Sequence, residues 1–178
     1  SAKQGEDNFC LCLYIQNHLL TTKNVFTGNE LKDELARMNK AFDRLMKYKK
    51  VEKNMLGYLK ATEVTVNSKD GSYNQHLHIL VFVRPSYFKG TGDNYISQEE
   101  LTDFWQKALK IDYTPIVNIK AVKPKSNAKE QNVIAAVYET AKYPVKSIDY
   151  LTDNHEENLQ RVDDLEFGLK RKRLMRGY

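Results

Sequence analysis

The sequence predicts an α+β fold, an antiparallel β-sheet backed by helices, with elements in the order β-α-β-β-α-β. Three observations carry that expectation. Two strand-like runs, Met55–Asn67 and Tyr73–Val83, flank an Asp70-Gly71 turn and read as a hairpin. Two amphipathic helical stretches stand before and after that hairpin. Shorter apolar, β-prone runs open and close the series.

Taken in order, Phe9–Ile15 (FCLCLYI) is the first strand. Leu31, Leu35, Met38, Phe42, Leu45 and Met46 then recur at helical spacing, marking an amphipathic helix from about Asn29 to Lys49. Asn29 is its expected N-cap, and Glu30, Asp33 and Glu34 suit the positive end of the helix dipole. The hairpin follows. Arg84–Asn94 is a loop with Pro85, Gly90 and Gly92. Ser97 and Glu100 form a capping box opening a helix whose Leu101, Phe104, Trp105, Ala108 and Leu109 face a core. Pro115–Val122 is the fourth strand. The order is that of a ferredoxin-like sheet.

The stretch Asn132–Lys146 (NVIAAVYETAKYPVK) follows the fourth strand and is helical by composition at least as far as Tyr143. Glu139 and Tyr143 stand at i and i+4 and share a face. Lys146 joins them only as far as Pro144, which lacks an N–H, lets the helix continue. A lone tyrosine at such spacing is ordinarily an amphipathic surface or core residue. The charged stretch beyond it carries a final helix with Leu159, Val162, Leu165 and Leu169, capped by Asp153 or Asn154. It reads as a scaffold or dimer element. The expected organisation is a domain over residues 1–150 and a helical, basic extension over 151–178.

The Tyr73–Val83 strand holds His76 and His78 two residues apart, which puts both imidazoles on one face. Leu77, Ile79, Val81 and Val83 line the other. A single strand histidine is usually structural, whereas a His–apolar–His pair beside a carboxylate suits a metal. Hairpin register supplies the carboxylate. A two-residue loop at Asp70-Gly71 sets Glu63 opposite His78, and a four-residue loop, Ser68–Gly71, sets it opposite His76. Either keeps Glu63 on the histidine face; a three-residue loop would not. Gln75 is a replacement or helper ligand. His18 and His155, outside the hairpin, read as surface residues.

Bulk properties narrow the classes. The chain has 178 residues, 41% hydrophobic and 29% charged, as expected of one soluble domain with a short appendage. Net charge is +5 with a pI near 9.0, which permits a polyanionic partner. No apolar run is long enough to span a bilayer, and no signal-peptide pattern is present. Cys10 and Cys12, alternate residues of one strand, are poorly placed to pair with each other, so a cytoplasmic location is expected. Ser1-Ala2 reads as an expression remnant and the basic ending as a truncation.

NQHLHILV resembles the His–hydrophobic–His motif of HUH endonucleases, and AVYETAKYPVKSIDYL resembles the tyrosine motif of rolling-circle plasmid replication initiators of Gram-positive bacteria. The likeness extends to ELKDELARMNKAFDRLMKYKK, ATEVTVN, YISQEELTDFWQKALKIDYTPI and AVKPK. It implies an HUH-type nicking domain with a catalytic helix after the fourth strand. Glu63, His76 and His78 would hold a divalent metal, Mn²⁺ or Mg²⁺, with Zn²⁺ an alternative on affinity. Tyr143 would be the nucleophile, leaving a 5′-phosphotyrosine link and a free 3′-OH. Glu139 would activate water for termination, and Lys146 would stabilise phenolate or phosphate. The implied partners are plasmid origin DNA, presented as a hairpin with a single-stranded nick site, and a host helicase. Lys120, Lys123, Lys125 and Arg171 are candidate phosphate contacts, although such residues are more often simply solvated. Two other readings remain at this stage. One is an RNA-recognition-type binding module, which shares the element order but needs exposed aromatics on its sheet. The other is a zinc hydrolase in which Tyr143 is incidental.

Overall fold

The structure, a computed structural model, describes residues 9–16, 25–88, 94–122, 134, 135, 137, 138, 140 and 151–178, without the side chains of 9–16, 85 and 122. Its strands are β1 (Phe9–Gln16), β2 (Met55–Val66), β3 (Tyr73–Val83), β4 (Ile116–Val122) and β5 (Met175–Gly177). Its helices are α1 (Gly28–Met46), a single turn α2 (Lys49–Glu52), α3 (Gln98–Leu109) and α4 (His155–Leu169), with a 3₁₀ turn at Pro85–Phe88. The fold is α+β. Its strands form one sheet in the order β4-β1-β3-β2-β5, and every pairing is antiparallel. Strands β1 and β2 both run antiparallel to β3 between them, so α1 joins two parallel strands across a third.

Helix α1 starts earlier than Asn29 because Thr27 is the better cap. Its Oγ1 accepts from the Glu30 amide at 3.3 Å, while Glu30 Oε2 accepts from the Phe26 amide at 3.0 Å. Leu31, Leu35, Met38, Ala41, Phe42 and Leu45 form its buried stripe, as the spacing predicts. Ser97 caps α3 through the Glu100 amide at 3.1 Å. The Glu100 carboxylate does not close the box, because Lys50 on α2 takes it at 2.7 Å. The main core lies between the sheet and helices α1 and α3, around Phe42, Leu77, Ile79, Tyr87 and Trp105.

Residues 151–178 fold back onto the sheet and α1. Asn154 caps α4 through the Glu156 and Glu157 amides. Asp164 on α4 accepts from the Gly28 amide at 2.9 Å and the Tyr73 hydroxyl at 3.0 Å. Burial, then that hydrogen bond, pushes the Tyr73 phenol well above its ordinary range. The close approach requires glycine. A Cβ at Gly28 would meet the Asp164 carbonyl oxygen at 2.7 Å, and one at Gly168 would meet Leu31 Cδ2 at 2.7 Å. Leu165 and Leu169 pack into a second cluster with Leu31, Leu35, Val64 and Tyr73. Leu159 and Val162, which share the predicted helical pattern, are instead about half exposed, at 54% and 51%.

The basic end of the chain supplies β5, an element its composition did not announce. The Tyr58 amide donates to the Tyr178 carbonyl at 2.8 Å and the Thr62 amide to the Leu174 carbonyl at 2.8 Å, covering the β2 edge. Arg176 pairs with Asp43 at 2.9 Å and stands across from Lys60. Lys60 is buried, donates to Asn39 Oδ1 and sits over the Phe42 ring. Burial, reinforced by Arg176 and offset by Asp43, lowers its amine from 10.5 to about 8. Between those two values the unfolded chain holds a proton that the folded chain has released. Stability contributed by this group therefore rises with pH across that window. Lys60→Met is expected to raise stability at pH 7, by at most about 3 kcal/mol, with the advantage shrinking towards pH 10. Paired urea titrations at the two pH values check this, and a pH-independent difference would contradict it.

Candidate metal centre

The β2–β3 hairpin builds the site, and its turn sets the register. The Asn67 amide donates to the Ser72 carbonyl and the Gly71 amide to the Asn67 carbonyl, both at 2.8 Å. Gly71 adopts φ +73°, the left-handed region where a side chain would be strained. Asp70 Oδ1 accepts from the Ser72 amide and hydroxyl, which holds its carboxyl below the ordinary range. The loop is thus the four-residue one, Ser68–Gly71, and Glu63 pairs with His76 in register.

Strand twist makes the side-chain contacts diagonal. Glu63 reaches past His76 to His78, whose Nε2 donates to Glu63 Oε2 at 2.8 Å. Thr65, two residues beyond Glu63 on the same face, meets His76 Nε2 at 3.1 Å through Oγ1. Glu63, His76 and His78 are all buried, with 7%, 5% and 7% of their surface exposed. A carboxylate and an imidazole held together at low dielectric interact more strongly than in water. The opposite face of β3 carries Leu77, Ile79 and Val81 into the core, so packing from behind fixes which way the histidines point.

The donor chemistry suits a divalent ion such as Mn²⁺, Mg²⁺ or Zn²⁺. The 2.8 Å separation of His78 Nε2 and Glu63 Oε2 is one that two ligands of a single ion can adopt. The third donor is turned aside: among the described residues, no three His, Cys, Asp or Glu side chains are gathered closely enough to hold a metal. By donor type Glu63, His76 and His78 fit such an ion, and His76 would have to leave Thr65 to join the other two. Gln75 does not serve as a ligand or helper here. It lies on the helix-facing side with Leu77, and its Nε2 donates to the Tyr73 carbonyl at 3.2 Å. Period-two alternation from His76 already places it there. Sequence reasoning missed Thr65, for which the available signal was its spacing of two from Glu63.

The chain matches the model of a family described as "Replication protein" over residues 18–177, a span that includes the hairpin and the Glu139–Lys146 stretch. It is 52% identical to a replication protein of Staphylococcus aureus over 88% of this chain and 66% of that protein. It is 52% identical to a "Protein rep" of Lactiplantibacillus plantarum, over 84% of this chain and 47% of the relative. A "Protein rep" of Streptococcus pneumoniae is 45% identical over 89% of this chain and 47% of that protein. The chain belongs to the replication protein family. It spans between about half and two thirds of the length of these curated relatives. No solved structure matches it.

Elsewhere in this replication protein, Lys120 is exposed on β4. Its register partner is Cys12, which pairs with Leu80, so Lys120 lies on the histidine face. Strand spacings put it about 12 Å from His78. Arg171 is exposed at the opposite edge, in the turn from α4 to β5, with φ 60°. His155 is exposed at the start of α4. Ile134, Ala135, Val137, Tyr138 and Thr140 are helical, as predicted for that stretch, and Tyr138 is 72% exposed. Glu139, Tyr143, Lys146, Lys123, Lys125 and His18 lie outside the described residues. No helix among the described residues is long and apolar enough to cross a membrane.

Proposed function

We propose that this replication protein initiates rolling-circle replication of a plasmid by nicking one strand at the origin through a covalent tyrosine intermediate. The observation that supports this most is the buried Glu63–His78 pair with His76 beside it on one sheet face, in a chain of the replication protein family. Glu63, His76 and His78 hold a divalent ion, which supplies charge neutralisation at the scissile phosphate. Tyr143 Oη attacks phosphorus, the P–O3′ bond breaks, and the 3′ oxygen leaves as a hydroxyl after taking up a proton. The DNA 5′ end is then esterified to Tyr143.

A phenol with an ordinary pKa near 10 needs help to attack at neutral pH. Lys146, three residues on, is the cation suited to stabilising the phenolate. Glu139 takes a proton from water in a later cleavage, so that water rather than a second tyrosine attacks phosphorus and ends the cycle. Lys120 contacts backbone phosphate on the histidine face, with Lys123, Lys125 and Arg171 extending the basic surface. Origin DNA is the substrate and a host helicase the expected partner.

The test is a labelled single-stranded origin oligonucleotide incubated with the protein, with and without Mn²⁺, and resolved on a denaturing protein gel. A metal-dependent protein–DNA adduct is expected. His78→Ala should lose it at subsaturating Mn²⁺, since removing one of three ligands leaves a weak site. Cleavage without any adduct would make water the nucleophile and remove Tyr143 from the reaction.

A further inference from the structure

We propose that Thr65 gates the metal centre, holding His76 out of the ligand set until an ion arrives; this rests on the metal-site reading above. Two side chains of β2 divide the two histidines of β3 between them. Glu63 takes His78 at 2.8 Å, and Thr65 takes His76 at 3.1 Å, each along the same diagonal of the ladder. The Thr65 contact is made by His76 Nε2. That nitrogen cannot bond the hydroxyl and ligate an ion at once. The backbone register already sets His76 directly opposite Glu63, so His76 approaches the ion by a side-chain rotation with no change of register.

The partition is energetically lopsided in a way that suits a gate. His76 is buried, so without an ion its nitrogen needs a partner. Thr65 is only partly buried, so its hydroxyl can turn to water once His76 swings away. The hydroxyl thus stabilises the metal-free state and adds nothing to the loaded one. Removing it raises metal affinity by the worth of one hydrogen bond, roughly three- to tenfold. This is the reverse of what a partner supporting a bound ligand would do, whose loss weakens the site.

The experiment is titration calorimetry with Mn²⁺ on the whole chain, at fixed pH, for the wild type, Thr65→Val and Thr65→Ser. Valine keeps the β-branched shape that the strand accepts, and serine keeps the hydroxyl. The expected result is tighter Mn²⁺ binding by Thr65→Val, with wild-type affinity for Thr65→Ser. The metal-free Thr65→Val protein should also melt lower and gain more from saturating Mn²⁺ than the wild type. Unchanged or weaker binding by Thr65→Val, with a wild type that binds, would overturn the gate and leave the metal site standing. A wild type that binds no Mn²⁺ would overturn both.

Discussion

Tyr143→Phe is expected to abolish the covalent protein–DNA adduct while leaving Mn²⁺ binding as in the wild type. Phenylalanine lacks the one atom that forms the bond to phosphorus, and the proposed metal ligands are Glu63, His76 and His78, none of which this substitution changes. Loss of a nucleophile from an assembled site costs at least about 10³-fold in rate. Strand cleavage should fall with the adduct, because the proposed first step has no other attacking group. The measurement pairs the denaturing-gel adduct assay with a calorimetric Mn²⁺ titration of the same preparation. Adduct formation by the variant would move the nucleophile to another residue, for which Tyr138, 72% exposed and close by in sequence, is the first to examine. Undiminished cleavage without adduct would favour the hydrolase reading.

The second large effect is on stability. Trp105 on α3 has no exposed surface and belongs to the same core cluster as Leu77, Ile79 and Val81. Those residues alternate along β3 with His76 and His78, so the core holds one face of the strand while the site occupies the other. Trp105→Ala removes the largest side chain in that cluster and leaves a cavity that the sheet cannot close. The expected cost is about 3–5 kcal/mol. For a chain of this length that lowers the melting midpoint by roughly 10 °C. Trp105→Phe should cost distinctly less. It keeps most of the ring volume and removes an indole N–H that, among the described residues, is buried without a hydrogen-bond partner. Urea unfolding of the two variants checks the pair. Equal losses would mean that the indole N–H has a partner after all and that packing volume is the smaller part of the effect. Since β3 is anchored by this core, Trp105→Ala should also weaken Mn²⁺ binding before it unfolds the chain.

The candidate site was largely legible because strand alternation is a rule about backbone geometry. His76 and His78 had to share a face, and the same rule puts Gln75 on the other, against its reading as a ligand. Glu63 was legible for a subtler reason: both even-length loops that Asp70-Gly71 permits put it with the histidines. Choosing between those loops was beyond the sequence. The four-residue turn depends on Asp70 capturing both the amide and the hydroxyl of Ser72, while Gly71 takes up a positive φ. A dipeptide that suits either turn carries no information on which one closes.

The segment from residue 151 to 178 was legible only in part. Asn154 and the Leu165–Leu169 side of α4 follow from capping and helical spacing. What they pack against does not, since Gly28 and Asp164 are joined across 136 residues of sequence. Strand β5 is three exposed residues, MRG, with no alternation to announce it. Its reason for existing is the open edge of β2, and an edge becomes visible only once the sheet is assembled.

By itself, then, the sequence determined the α+β class, the helix-facing and histidine-facing sides of β3, and the residue types that give the site its chemistry. Each of these follows from a period of two or 3.6 along a local stretch of chain. Only the tertiary structure decided that Glu63 bonds to His78 rather than to His76 across from it, and that Thr65 takes His76. It also decided that a basic tail closes a sheet. Those outcomes depend on strand twist, side-chain rotamers and contacts between distant segments, which have no counterpart in the spacing of residues along the chain.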